Sequence, residues 1–227
     1  MKAWEVLGES SAPDGTDIQL RRRDNEYLIL AGGKPLMSSL LHGSEEALAT
    51  LGCSRARTLE GPRVLVGGLG MGFTLRAVLD VLPSDAVVTV AELVPAVIEW
   101  NRSSLAALAG NPLRDRRVRV HAADVGFTLR GNTGRFDAVL LDTDNGPAAF
   151  TSADNASLYD NAGVAAAFAA LRPGGTLAVW SAWDDRKFEQ RLRYHGFQVE
   201  VVRVRARLKK GGPRHTIFLA HKSPADV

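Results

Sequence analysis

The sequence predicts an α/β fold: a doubly wound, mostly parallel seven-stranded sheet preceded by a small N-terminal β-rich extension. Three observations predict it. From Arg63 onward, short apolar strand patterns alternate with helical ones, the signature of a mostly parallel sheet covered by helices on both faces. The apolar run Val64–Val66 passes directly into Gly67, Gly68, Gly70 and Gly72, a strand–turn–helix transition. The residues before Ser44 instead read as short strands broken by the turn compositions "APDGTD", "DNE" and "AGGKP".

Taken in order, the extension offers strands at Trp4–Leu7, Ile18–Arg22 and Tyr27–Ala31. "SEEALATL" then supplies Ser44 as an N-cap, two acids in the first turn and apolar residues at helical spacing. The main sheet is expected from Arg63–Val66, Val87–Ala91, Val118–His121, Ala138–Leu141, Thr176–Trp180, Val199–Val204 and His215–His221. Helices are expected at Gly72–Leu82, Pro95–Ala109, Asn161–Leu171 and Arg186–His195. "LKKGGPR" is too short for a helical crossover, so the last two strands are expected to pair as an antiparallel hairpin. Residues 1–54 therefore read as strand extension plus linking helix, and 55–227 as a Rossmann-like nucleoside-binding catalytic domain.

Composition narrows the function classes. The 227 residues are 45% hydrophobic and 23% charged, with a formal net charge of +3, which is ordinary for a globular protein. No apolar run approaches the roughly 20 residues of a membrane helix, and "MKAWEVLGESS" lacks the apolar centre of a secretory signal. A cytoplasmic protein with no membrane partner is expected. Cys53 is the only cysteine, which excludes an intrachain disulfide and a cysteine-rich metal site, and no metal is expected. The basic residues concentrate in "LRRRD" and "RVRARLKKGGPRH". Neither stretch interleaves aromatics, so a solvated sheet face is favoured over a nucleic-acid partner.

The motifs lie at strand ends, where ligands of doubly wound sheets bind. Gly68, Gly70 and Gly72 let the backbone approach a ligand, and the helix that follows offers unpaired N–H groups. Glu92 follows Gly72 by 20 residues at the tip of the second strand, where an acid accepts from both ribose hydroxyls. The competing reading of Glu92 is a first-turn helix acid. Asp124 ends the third strand, where an adenine amino group would lie, and Asp142 and Asp144 end the fourth. Phe73 replaces the third glycine of the dinucleotide fingerprint. The set therefore fits a sulfonium nucleoside better than a dinucleotide.

In "RVLVGGLGMGFTLRAVL", "AELVPAVIEW", "DRRVRVHAADV" and "FDAVLLDTDNGPAAF" the sequence resembles the spermidine synthase family, the aminopropyltransferase branch of the class I methyltransferase fold. The resemblance runs from about Lys34 to Val179. It implies a co-substrate that is S-adenosylmethionine or its decarboxylated form, with Gly68, Gly70, Met71 and Gly72 around it. It further implies Glu92 on the ribose, Asp124 with Val125 at the adenine, and Asp142 beside the reacting centre. The expected function is alkylation of a small-molecule amine, with methyl transfer or an inert nucleoside-binding homologue as alternatives, and the expected assembly is a homodimer.

Departures cluster on the acceptor side. Met71 stands where the family carries an acid, and Ser44 and Glu45 stand where it shows tyrosine followed by histidine or glutamine. The fourth-strand loop is shortened to "DTDNGP". Asp142, then Asp144, are the candidates to attract and deprotonate the amine. His42, Glu45, Trp180 and Trp183 are candidate substrate contacts. The competing readings are a capping or structural role for His42 and packing against the last helix for a tryptophan.

Overall fold

Tight turns fold the beginning of the chain into an antiparallel meander. The computed structural model describes residues 2–143, 146–147, 157–207 and 212–224. Its first four strands, β1 (Glu5–Ser11), β2 (Asp17–Arg23), β3 (Glu26–Ala31) and β4 (Lys34–Ser38), lie side by side in that order. Asp14 starts the first turn by accepting from the Thr16 backbone N–H at 2.9 Å, an Asx-type turn. The third turn uses Gly32 and Gly33, both with positive φ, as two-residue hairpins of this twist demand. Sequence patterning misses β4, because Pro35 argues against a strand. Proline is tolerated there because β4 is the sheet edge.

Helix α1 (Gly43–Gly52) begins two residues earlier than the Ser44 cap predicts. His42 occupies the cap and makes no side-chain capping bond. Ser44 lies inside the first turn, and its hydroxyl points to other partners described below.

The main sheet contains β5 (Arg63–Gly67), β6 (Val87–Glu92), β7 (Val118–Ala122), β8 (Phe136–Leu141), β9 (Leu171–Ser181), β10 (Gln198–Arg205) and β11 (Arg214–His221). Their spatial order is β10-β11-β9-β8-β5-β6-β7. The neighbours among β5 to β9 are parallel, while β11 runs antiparallel to both β9 and β10. The chain winds outward from β5 to β7 and returns to β8 on the other side of β5. The order therefore reverses between β5 and β8, and a crevice opens beyond their carboxyl ends.

Side-chain alternation covers the sheet with helices on both faces. Val64 and Val66 of β5 join one core cluster with Leu75, Val78 and Leu79 of α2 (Phe73–Val81) and Val97 and Ile98 of α3 (Pro95–Arg102). Leu65 joins a second cluster with Leu129, Val164, Ala167, Phe188 and Leu192. Those residues come from α4 (Val125–Arg130), α5 (Asn161–Ala170) and α6 (Arg186–Tyr194). Odd and even strand positions thus feed opposite layers.

Two expectations change here. The helix predicted over Pro95–Ala109 stops at Arg102, because the Ser103 hydroxyl donates to the Glu99 carbonyl at 2.7 Å and the chain turns irregular. Serine's competition for backbone partners accounts for this. Helix α4 was not foreseen, since six residues containing a glycine carry too little periodicity.

The small sheet is anchored on the main one. Ile18, Leu20 and Ile29 belong to the same core cluster as Val97 and Trp100. The Trp100 indole occupies the space that a side chain at Gly8 would need. Among the described residues no helix is long and apolar enough to cross a membrane. On β10, Arg203 and Arg205 lie on the exposed positions, and Arg203 is engaged by Asp184.

Candidate functional site

The turn after β5 is held between its two neighbours. The Gly68 N–H donates to the Ala91 carbonyl, and the Asp142 N–H donates to the Gly67 carbonyl, each at 2.9 Å. Gly68 and Gly70 have φ of +88° and +51°, the left-handed region that favours glycine. A Cβ on Gly68 would strike the Asp142 main-chain carbonyl, and one on Gly70 would lie 2.9 Å from the Met37 sulfur. Gly68 is therefore required by packing as well as by φ, and Gly70 by its φ.

Beside this turn is a cavity of about 390 Å³, within the size range of small-molecule sites. It is lined by Ile18, Ile29 and Met37 of the small sheet and by Gly68, Gly70, Glu92 and Val125 of the main domain. Five carboxylates line it, those of Asp14, Glu45, Glu92, Asp124 and Asp142, with no lysine or arginine among the described lining residues. That imbalance favours a cationic occupant.

Glu92 is fixed by backbone donors. Its Oε2 accepts from the Leu69 N–H at 2.9 Å and its Oε1 from the Val94 N–H at 2.8 Å. A carboxylate has about four acceptor positions, so this fixing is compatible with also accepting from a diol. Asp124 has a structural duty too: it caps α4 by accepting from the Phe127 N–H at 2.8 Å while lining the cavity. The Val125 side chain packs over Gly67.

At the other end Asp142 and Glu45 face each other's charge. Asp142 Oδ2 accepts from the Thr74 hydroxyl at 2.5 Å, and Glu45 Oε2 accepts from the Ser44 hydroxyl at 2.6 Å. Desolvation pushes Asp142 up to about 6, opposed by the Thr74 bond. Desolvation first, and then the negative charge of Asp142, pushes Glu45 up to about 8, opposed by the Ser44 bond. Asp142 is half-buried where it meets the cavity, and Glu45 is only 5% exposed. His215 of β11 and Trp180 of β9 complete this end, with their rings edge to face at 4.6 Å between centroids. Burial pulls the His215 imidazole below its ordinary value.

The acid pair sets a pH dependence for the ligand-free protein. In the unfolded chain both carboxyls titrate near about 4. Above that value the native state holds protons that the unfolded chain has lost, so stability falls as pH rises. The contribution is complete below the unfolded values and is lost as pH passes through the folded ones. The melting temperature is expected to fall between pH 5 and pH 9 by roughly 2–4 °C per kcal/mol. Glu45→Gln should flatten the upper part of that slope. A thermal scan in which the variant and the parent have the same slope would contradict the pair.

Not every sequence-predicted residue reaches the cavity. Gly68, Gly70, Glu92, Asp124, Val125, Asp142, Glu45 and Trp180 line it. Met71 does not: it is fully buried in the core, turned inward between two glycines of positive φ. Gly72 packs against Asn101 and Pro112 instead. His42 stacks on Phe73 at 4.3 Å and bonds Glu46 at 2.8 Å, a structural placement off the lining. Trp183 is 56% exposed and away from the lining. Asp144 lies outside the described residues. Thr74, Met37 and His215 were not predicted. Among the described residues no group of His, Cys, Asp or Glu is arranged to hold a metal ion.

No protein-family description and no curated protein matches the sequence. Solved structures do match the fold. A spermidine synthase in complex with the transition-state analogue AdoDATO superimposes with a TM-score of 0.75 at 20% identity, covering 96% of this chain and 74% of that one. Spermidine synthase from Thermotoga maritima gives 0.73 at 19%, covering 96% and 72%. A probable spermidine synthase from Corynebacterium glutamicum ATCC 13032 gives 0.66 at 18%, covering 96% and 80%. The fold is that of the spermidine synthases, with the α/β sheet of class I methyltransferases and a small antiparallel sheet before it.

Proposed function

We propose that this chain is a spermidine synthase-like transferase that takes a sulfonium nucleoside as donor and alkylates an amine. The observation that carries the reading is the pair Glu45 and Asp142, desolvated together in the cavity that Glu92 also lines. Two acids forced together at low dielectric are relieved by a cation, and an ammonium group is the natural one.

In this reading Glu92 accepts from the ribose hydroxyls, and Asp124 and Val125 hold the adenine. Gly68 and Gly70 let the backbone approach the nucleoside. Trp180 offers an aromatic face to the cation. The displacement is in line at carbon: the amine lone pair forms C–N while C–S breaks and the thioether leaves neutral. Such a leaving group needs little acid catalysis. Catalysis therefore rests on positioning, on water exclusion and on deprotonating the ammonium beforehand. Asp142, held by Thr74, attracts the ammonium, and Glu45 is the second acid at its side. The decarboxylated sulfonium is the preferred donor, since the carboxylate of intact S-adenosylmethionine would meet like charges.

Parallel calorimetric titrations with S-adenosylmethionine, its decarboxylated form and methylthioadenosine test the reading. The decarboxylated donor should bind at least about tenfold tighter than the intact one, a difference of 1.4 kcal/mol. The reverse order would turn the assignment to methyl transfer. Absence of binding by all three would end it.

A further inference from the structure

We infer that Glu45, Ser44 and His215 form a proton path leading from the inner acid pair to a partly exposed imidazole. The inference rests on the amine-transfer reading for the origin of the proton, and on geometry for the path itself.

Ser44 is fully buried in the first turn of α1, where a serine hydroxyl ordinarily serves a backbone partner. Here it serves none. Its Oγ lies 2.6 Å from Glu45 Oε2 and 2.9 Å from His215 Nδ1. One hydroxyl has one proton, so it donates to one of these partners and accepts from the other. The direction follows the charge on Glu45. With Glu45 ionised, Ser44 donates to it and His215 carries its proton on Nδ1. With Glu45 protonated, the carboxylic acid donates to Ser44, Ser44 donates to Nδ1, and a neutral His215 carries its proton on Nε2. Reversing the chain moves a proton between the cavity and the histidine.

The surroundings favour traffic along this line. Glu45 feels Asp142 from the end of β8 and Glu46 from its own helix, both negative. Glu46 is in turn engaged by His42. His215 meets Ser44 from α1 and the edge-on Trp180 from β9. Arg203 of the same hairpin pairs with Asp184 from the segment after β9, and Asp184 also accepts from the hydroxyl of the next residue, Thr216, at 2.5 Å. Among the described residues no carboxylate is bonded to the His215 ring, and burial pulls its imidazole down, which favours the neutral, accepting form. The proton count closes. R–NH₃⁺ gives one proton to the Glu45 carboxylate and becomes R–NH₂. Protonation of Glu45 is accompanied by the shift of His215 from its Nδ1–H to its Nε2–H tautomer, one proton taken from water at Nε2 and one given up from Nδ1. Glu45 then passes a proton to Ser44 as Ser44 passes its own to Nδ1, and the imidazolium loses its Nε2 proton to water. The free amine then forms C–N, C–S breaks, and the product is a secondary ammonium.

The test is a ¹⁵N NMR titration of the ligand-free full chain from pH 5 to pH 10, read at His215. The expected result is three states on raising pH: imidazolium, the Nε2–H tautomer, then the Nδ1–H tautomer as Glu45 ionises. Glu45→Gln and Ser44→Ala should both abolish the last switch. A His215 that keeps one neutral tautomer throughout, or that switches equally in Glu45→Gln, overturns the path. If Ser44→Ala does not fold, the comparison with Glu45→Gln decides alone. The second arm is turnover of decarboxylated S-adenosylmethionine with 1,4-diaminobutane and with n-butylamine. Ser44→Ala should lower kcat about tenfold near pH 7, less than the roughly 10²–10⁴-fold of a general base because Glu45 itself remains. KM for the amine should stay within about twofold of the parent, and the deficit should shrink at pH values where the amine is already neutral. A kcat unchanged by Ser44→Ala overturns the path as a catalytic one. A Glu45-dependent switch in a protein that turns over neither amine upholds the path and overturns the transferase reading instead.

Discussion

Asp142→Asn is expected to lower turnover by roughly 10²-fold or more near neutral pH, the scale on which misplacing a reacting group costs rate. Nucleoside affinity should stay within about threefold. Asparagine keeps the shape of the side chain and can still accept from Thr74, whose hydroxyl now bonds Asp142 at 2.5 Å. What it removes is the charge that draws an ammonium group in. It also removes the repulsion that helps hold Glu45 protonated, so Glu45 should ionise at lower pH and the acidic limb of the rate profile should move down. Steady-state kinetics across pH, with calorimetry on the same preparation, read both effects. Turnover within about threefold of the parent would place the chemistry elsewhere.

Glu92→Ala is expected to weaken methylthioadenosine binding tenfold to more than a hundredfold. That corresponds to roughly 1.5–3 kcal/mol for a lost charged acceptor. The variant also strands the N–H groups of Leu69 and Val94, which the carboxylate now accepts from, so some loss of stability should accompany the loss of affinity. Glu92→Gln separates the two contributions in part. It keeps the volume but turns an amide NH₂ toward one of those donors. Equal affinity in a folded Glu92→Ala protein would remove Glu92 from the site.

The fold was legible because it depends on periodicity and order. Apolar runs of strand length separated by helical patterns specify the main sheet, and Glu92, Asp124 and Asp142 were found because each ends a strand at the same edge. Direction within a turn was not legible. Met71 and Met37 illustrate this: backbone φ at the flanking glycines sends Met71 into the core, and the methionine that meets the turn comes from β4. His215 was missed for a topological reason. It lies 171 residues from Ser44 in sequence, and no local pattern marks it. The hairpin, however, was predicted, and its geometry carries the missing signal. A last strand that runs antiparallel begins where its parallel neighbours end, as the pairing of Thr216 with Ser181 shows. The first residues of β11 therefore belong at the ligand edge. His42 had the right neighbourhood and the wrong partners, because stacking on Phe73 spends its ring.

The cavity takes its lining from both parts of the chain, with Ile18 and Ile29 from the small sheet and Gly70 and Glu92 from the main domain. An occupant touching both acts as a removable cross-link. Its binding free energy and the adhesion of the meander to the main sheet are then one thermodynamic quantity seen from two sides. At a ligand concentration a hundred times Kd this amounts to about 2.7 kcal/mol, comparable with several buried methylene groups. Mutations at Gly8 or Trp100, remote from any reacting atom, would thus be read out as changes in affinity. With the proposed donor as that occupant, the attachment of the small sheet would depend on ligand concentration as well as on sequence.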